Sequence, residues 1–181
     1  MKNIYLISDL HFNHDKEFIW KARGFNSVEE MNESIVKSFN EIVHEDDIVY
    51  ILGDLMMGFL TEEKWLPQLN GEIHYIIGNH DTANRLKYYE ELGFICEGYA
   101  TVIQYKHHSF YLSHYPTLVQ NTTDDRIHNI HGHTHSKEFR EYNPNFNVAI
   151  DAIKKPISLD EIYQIVKWER EYDKWLEEIK K

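Results

Sequence analysis

Residues 47–54, DIVYILGD, decide the fold class. Five consecutive apolar residues, 48–52, mix β-branched, aromatic and aliphatic side chains and stop at Gly53-Asp54. Such a run is too short for a buried helix and apolar at every position, so it reads as a strand covered on both faces, as in a parallel sheet. Two more runs share this form: residues 4–7 lead into Ser8-Asp9, and residues 73–77 lead into Gly78-Asn79. Between the first two strands, residues 28–43 place Met31, Ile35, Val36 and Phe39 at helical spacing. Ser27 stands at the start and Glu30 three positions on, a capping-box pattern. Helices are also expected over residues 61–69 and 82–92.

Beyond Gly93 the period changes. Residues 94–96, 100–105 and 109–113 read as strands joined by tight connections, and residues 127–130 and 146–150 as two more. After Pro156, Ser158 and Glu161 open a second capping box. An amphipathic helix over about 158–180 is expected to follow, carrying Ile162, Ile165, Val166, Trp168, Trp175 and Ile179. Strand-helix-strand units first and antiparallel strands later predict an α/β fold of two mixed sheets packed together with helices outside. Neither repeat nor linker interrupts the 181 residues, so one domain spanning 1–181 is expected.

Composition narrows the function. Hydrophobic residues at 42%, with 14% aromatics, exclude a largely disordered chain. Thirty acidic against 19 basic residues give a formal charge of -11, which disfavours a general binder of extended nucleic acid. One cysteine, Cys96, and an N-terminal MKNIYLISDL that reads as a strand rather than a leader predict a cytoplasmic location. No stretch approaches the ~20 apolar residues that cross a bilayer, so no membrane partner is expected. Twelve histidines are many for this length, and imidazole is both the commonest metal ligand and the near-neutral proton carrier.

Polar residues gather where the predicted strands end, the place where α/β folds build their sites. Asp9 and His11 lie two apart, so strand geometry points them to one side. Gly53-Asp54 follows the second run and Gly78-Asn79-His80-Asp81 the third. His114 stands in LSHYP, and Gly132-His133-Thr134-His135 supplies two imidazoles at spacing two. Taken singly, each is an ordinary turn or cap. Five in this order, four of them directly after apolar runs, point to one shared site.

This ordered set, D-x-H, G-D, G-N-H-D, H and G-H-x-H, resembles the signature of the calcineurin-like metallophosphoesterase superfamily. The resemblance runs from Asp9 to His135 and continues through NVAIDAIKKPISLDEI; it is greatest to the compact bacterial and bacteriophage members. It implies a four-layer α/β/β/α sandwich and two divalent transition-metal ions, manganese first, with iron, zinc, nickel or cobalt as alternatives. The resemblance assigns Asp9, His11 and His135 to one metal, and Asn79, His114 and His133 to the other. Asp54 bridges them, and His80 is the catalytic histidine that assists the leaving group. The chemistry agrees, because two cations ~3.5–4 Å apart generate hydroxide near neutral pH and clamp a phosphoryl group.

One departure matters. Where the G-D-x-x-D-R form carries an orienting aspartate and a phosphate-binding arginine, this chain reads Gly53-Asp54-Leu55-Met56-Met57. The expected substrates are therefore small phosphodiesters, cyclic or nucleotide-like, attacked by metal-bound hydroxide. Phosphomonoesterase, nuclease and a catalytically silent binding scaffold are the alternatives. His14, three residues beyond His11, and Arg23, with its planar fork, are further candidate substrate contacts. The remaining histidines, 44, 74, 107, 108, 128 and 131, are expected to be structural or surface residues.

Overall fold

A computed structural model describes residues 2–119, 126–140 and 145–180. Among the described residues nine strands form two mixed sheets flanked by helices. The first sheet contains β1 (Ile4–Ile7), β2 (Ile48–Ile51), β3 (Glu72–Tyr75) and β4 (Ile95–Cys96), all parallel. The short β9 (Ile157–Ser158) is antiparallel on the β1 edge, giving the order β4-β3-β2-β1-β9. The second sheet runs β5 (Ala100–Tyr105), β6 (His108–Ser113), β7 (Ile127–His131) and β8 (Asn145–Asn147). In this sheet β5 and β6 pair antiparallel, as expected of this half, while β6, β7 and β8 pair parallel.

The helices are α1 (Glu17–Trp20), α2 (Val28–Asn40), α3 (Ala83–Glu91), α4 (Ile150–Ile153) and α5 (Leu159–Ile179). Ser27 caps α2 by accepting the Glu30 N–H at 3.1 Å, while the Glu30 carboxylate accepts from the Asn26 N–H rather than that of Ser27. At Ser158 and Glu161 both halves of the capping box form.

Two apolar clusters hold the layers together. Strand alternation sends Ile7, Val49, Ile51, Ile73 and Tyr75 to one, where they meet Met31, Ile35 and Phe39 of α2 and Tyr89 of α3. Leu6, Leu52 and Ile76 point to the other, where they meet Phe110, Leu112, Ile130 and Phe146 of the second sheet and Leu159, Ile162 and Val166 of α5. Each of the large side chains contributes ~1.5–3 kcal/mol through burial.

Three sequence expectations need correction. Residues 61–69 form two 3₁₀ turns, Leu60–Glu62 and Leu66–Gln68, instead of a helix. The Glu63 carboxylate accepts the N–H groups of Trp65 and Leu66, and Pro67 offers none, so an α-helical ladder cannot continue. The strand expected at 146–150 ends at Asn147, whose side chain accepts the Ala149 N–H at 3.0 Å and turns the chain into α4. On α5, Trp168, Tyr172, Trp175 and Ile179 are exposed, so the apolar stripe is buried only over its first two turns.

Candidate metal centre

Every expected ligand stands just past the C-terminal end of a strand. Asp9 and His11 follow β1, Asp54 follows β2, Asn79 and His80 follow β3, His114 follows β6, and His133 and His135 follow β7. The parallel β1–β2 ladder continues into these loops: His11 N–H donates to Asp54 O at 3.0 Å and Phe12 N–H to Leu55 O at 3.0 Å. The sheets are stitched at the same rim. His133 N–H donates to Asp9 Oδ2 at 2.9 Å, and both Ser8 Oγ and His114 Nδ1 reach Leu52 O, at 2.7 and 2.8 Å.

Strain concentrates here. Asp9, His11, Asp54, His133 and His135 all have positive φ, between 50° and 68°, a region that costs a non-glycine residue free energy and persists where surroundings enforce it. Glycines make the close approaches possible. A Cβ on Gly132 would lie 2.0 Å from Ser8 Oγ and 2.3 Å from Asp9 Oδ2, and one on Gly78 would lie 2.3 Å from Asp54 Oδ1.

The polar atoms form two tight groups among the described residues: Asp9, His11 and His135, and Asp9, Asp54 and His114. Within each group all ligand atoms lie within 4.8 Å of one another. His11 Nε2 faces His135 Nε2 at 3.2 Å and lies 3.7 Å from Asp9 Oδ1 and 3.8 Å from Asp54 Oδ2; His114 Nε2 is 3.5 Å from that same Asp54 oxygen. Donors bound to a cation at ~2.0–2.2 Å stand about 3–4 Å from one another, so these spacings fit one coordination shell. Asp9 Oδ1 is buried with no hydrogen-bond partner, which a cation among these donors would satisfy.

Protonation follows the same logic. Burial pushes the His11 imidazole below its ordinary pKa, towards the neutral form that ligates metals. Burial opposes ionisation of Asp9, but the adjacent imidazoles, His11 first, outweigh it and lower its carboxyl. Burial, then neighbouring His114, lowers His133. His114 and His135 each have Nδ1 engaged, with Leu52 O and with Asp151 Oδ2 at 2.8 Å, which directs Nε2 towards the cluster.

The remaining candidates separate by position. Asn79 Oδ1 lies 2.8 Å from His114 Nε2, whereas the His133 ring packs beside His114 at 5.0 Å between centroids and stands outside both tight groups. His80 is held through its backbone: its N–H donates to Asp54 Oδ1 at 2.8 Å, and its carbonyl accepts from Arg85 Nη1 at 2.5 Å. Its ring is partly exposed, with Nε2 4.0 Å from Asp54 Oδ2. His14 packs 5.4 Å from His11, and burial followed by the neighbouring His11 and Arg23 lowers it to about 4. Arg23 lies behind the site. Nε and Nη2 grip Asp151 at 3.0 Å, while Nη1 and Nη2 donate to Leu10 O and Asp9 O at 3.0 and 2.9 Å.

Two carboxylates of this framework escape a reading of the sequence. Asp81 accepts the N–H groups of Gly78 at 2.8 Å and Asp54 at 2.9 Å and the Tyr89 hydroxyl at 3.0 Å, tying two site loops to α3. Asp151 joins His135 to Arg23. Asp81 stands in the G-N-H-D block and Asp151 in the NVAIDAIKK continuation, yet neither offers a spacing signal, because the partners that give them their roles, Asp54 for Asp81 and Arg23 for Asp151, are distant in sequence.

Comparison with known proteins places this framework. The calcineurin-like phosphoesterase family matches residues 2–181. An uncharacterized protein of Methanocaldococcus jannaschii is 39% identical over 176 residues, 92% of each chain. The Gene 66 protein of Mycobacterium phage L5 is 28% identical over 198 residues, covering 92% of this chain and 95% of the phage protein. Among solved structures, a protein of unknown function from Aquifex aeolicus superposes with a TM-score of 0.69 at 24% identity, covering 91% of this chain and all of its own. The E. coli phosphoesterase Yfce superposes with a TM-score of 0.50 at 15% identity, covering 86% of this chain and 81% of its own, a likeness of fold. A family match along nearly the whole chain, meeting clustered carboxylates and imidazoles suited to metal, makes this protein a metal-dependent phosphoesterase of the calcineurin-like family.

Proposed function

We propose that the chain hydrolyses small phosphodiesters, cyclic and nucleotide-like esters among them, at a centre of two divalent cations. In this reading Asp9, His11 and His135 hold one cation, Asn79, His114 and His133 hold the other, and Asp54 lies between. Mixed imidazole and oxygen donors suit manganese, with iron, zinc, nickel and cobalt as alternatives. Cations bound there supply Lewis acidity to phosphoryl oxygens and lower the pKa of a coordinated water.

The chain's own residues do the rest. Asp151 and Leu52 O fix the tautomers of His135 and His114, so that each turns Nε2 inward. Bonds at its own backbone hold His80 at the mouth of the site. From there His80 donates a proton to the departing alkoxide oxygen.

The diester preference rests on the arginines beside the site. A monoester dianion carries a second negative charge that a free guanidinium fork offsets well. Arg23 spends its donors on Asp151 and two backbone carbonyls, and Arg85 bonds to His80 O, Met57 O and Gly58 O. Neither fork is free, so Arg23 acts as a strut beneath the Asp9 loop. The test is kcat/KM for bis(nitrophenyl) phosphate against nitrophenyl phosphate with the same metal. The diester is expected to be the better substrate; a monoester preference that disappears in Arg23→Ala would overturn the reading.

A further inference from the structure

Resting on the phosphoesterase reading of this site, we propose that Tyr115 is a stacking platform selecting phosphoesters that carry a planar aromatic group, a nucleobase foremost. Tyr115 follows His114 directly, and its ring packs edge-on against His133 at 4.4 Å and against His114 at 5.2 Å between centroids. It is nonetheless 50% exposed, so one part of the ring rests on imidazoles of the site and the remainder opens to solvent at the mouth. An aromatic side chain left half-wet beside a reaction centre has apolar area available for a ligand.

The backbone beneath this ring is fixed. The Tyr115 carbonyl accepts from Ser113 Oγ at 2.7 Å and Thr117 Oγ1 at 3.2 Å, and the Thr117 N–H donates to Asn129 Oδ1 at 2.8 Å. The platform is thereby held in place, which reduces the ordering cost of binding. A second exposed ring belongs to the other half of the site. Phe18 of α1, 71% exposed, stands edge-on to His14 at 6.2 Å, and His14 in turn packs on His11. The mouth therefore carries aromatic surface beside both sets of imidazoles, while its arginines are occupied. Such a surface recognises a flat apolar face better than additional phosphate charge.

Calorimetric titration of manganese-loaded protein with thymidine 5′-phosphate and with methyl phosphate tests this directly. Base–aromatic stacking predicts roughly 5- to 100-fold tighter binding of the nucleotide by the wild type. Tyr115→Phe should keep that ratio and Tyr115→Ala should bring it close to one, with metal content checked in each. Should Tyr115→Ala lose metal, Tyr115→Leu, which keeps cover over His133 but has no π face, replaces it. The same ratio, expressed in KM, is expected for the nitrophenyl phosphodiesters of thymidine and methanol, which share a leaving group. A wild-type ratio near one, a preference that persists without the ring, or its loss in Tyr115→Phe overturns the proposal. Tyr115-dependent binding without hydrolysis of either ester would leave the platform standing and remove the phosphoesterase reading instead.

Discussion

His80 differs from its neighbours in exposure and in what fixes it. Asp9, His11, Asp54 and His114 are almost wholly buried, whereas the His80 ring reaches the mouth and is positioned by bonds at its own N–H and carbonyl. A side chain so placed can move a proton without carrying the metal set. His80→Ala is expected to retain fold and metal while lowering kcat by roughly 10²–10⁴-fold on alkyl esters. The loss should shrink for nitrophenyl esters, whose departing oxygen needs little protonation. Steady-state kinetics over a leaving-group series checks this, and a uniform loss would assign His80 to positioning or charge stabilisation.

At the scale of elements, the Arg23–Asp151–His135 chain ties the segment before α2, the start of α4 and the loop after β7 into one support. Burial opposes ionisation of Asp151, but hydrogen bonds from His135 and Arg23 overcome it and hold the carboxyl well below the usual range. The hydrogen bond to Asp151 raises His135, against the opposing effect of burial. The Asp151 contribution is complete above its unfolded pKa of about 3.9 and is lost as pH falls through the folded value. The His135 contribution is complete below about 6.5 and is lost as pH rises through the raised value. In chelated protein, the stability gap between wild type and Asp151→Asn should therefore be larger at pH 5.5 than at pH 9. Its expected size at pH 5.5 is about 1–3 kcal/mol, reduced by the exposure of His135. Urea unfolding at the two pH values measures it; a gap that grows with pH contradicts the assignment.

For the whole molecule, what the sequence made legible was whatever local pattern encodes. The runs ending at Ile7, Leu52 and Ile77 announced the parallel sheet because burial on both faces demands continuous apolar residues. The blocks from Asp9 to His135 announced the site because their turns follow those strands. Hidden were a side-chain choice that periodicity does not record, Glu63 turning onto the Trp65 and Leu66 N–H groups and dividing an expected helix into two turns, and features set by distant partners, Asp151 occupying Arg23 and Asp81 bracing two loops. The wet half of α5 escaped because helical periodicity records an apolar stripe but not how far the body beneath it extends. The central claim, two cations sharing Asp54, brings both sheets to one chemical purpose and is tested by counting metal. Elemental analysis of manganese-reconstituted protein should give two equivalents in the wild type and fewer than two in Asp54→Ala, with near-total loss of phosphodiesterase activity. Two equivalents and full activity in Asp54→Ala would contradict it.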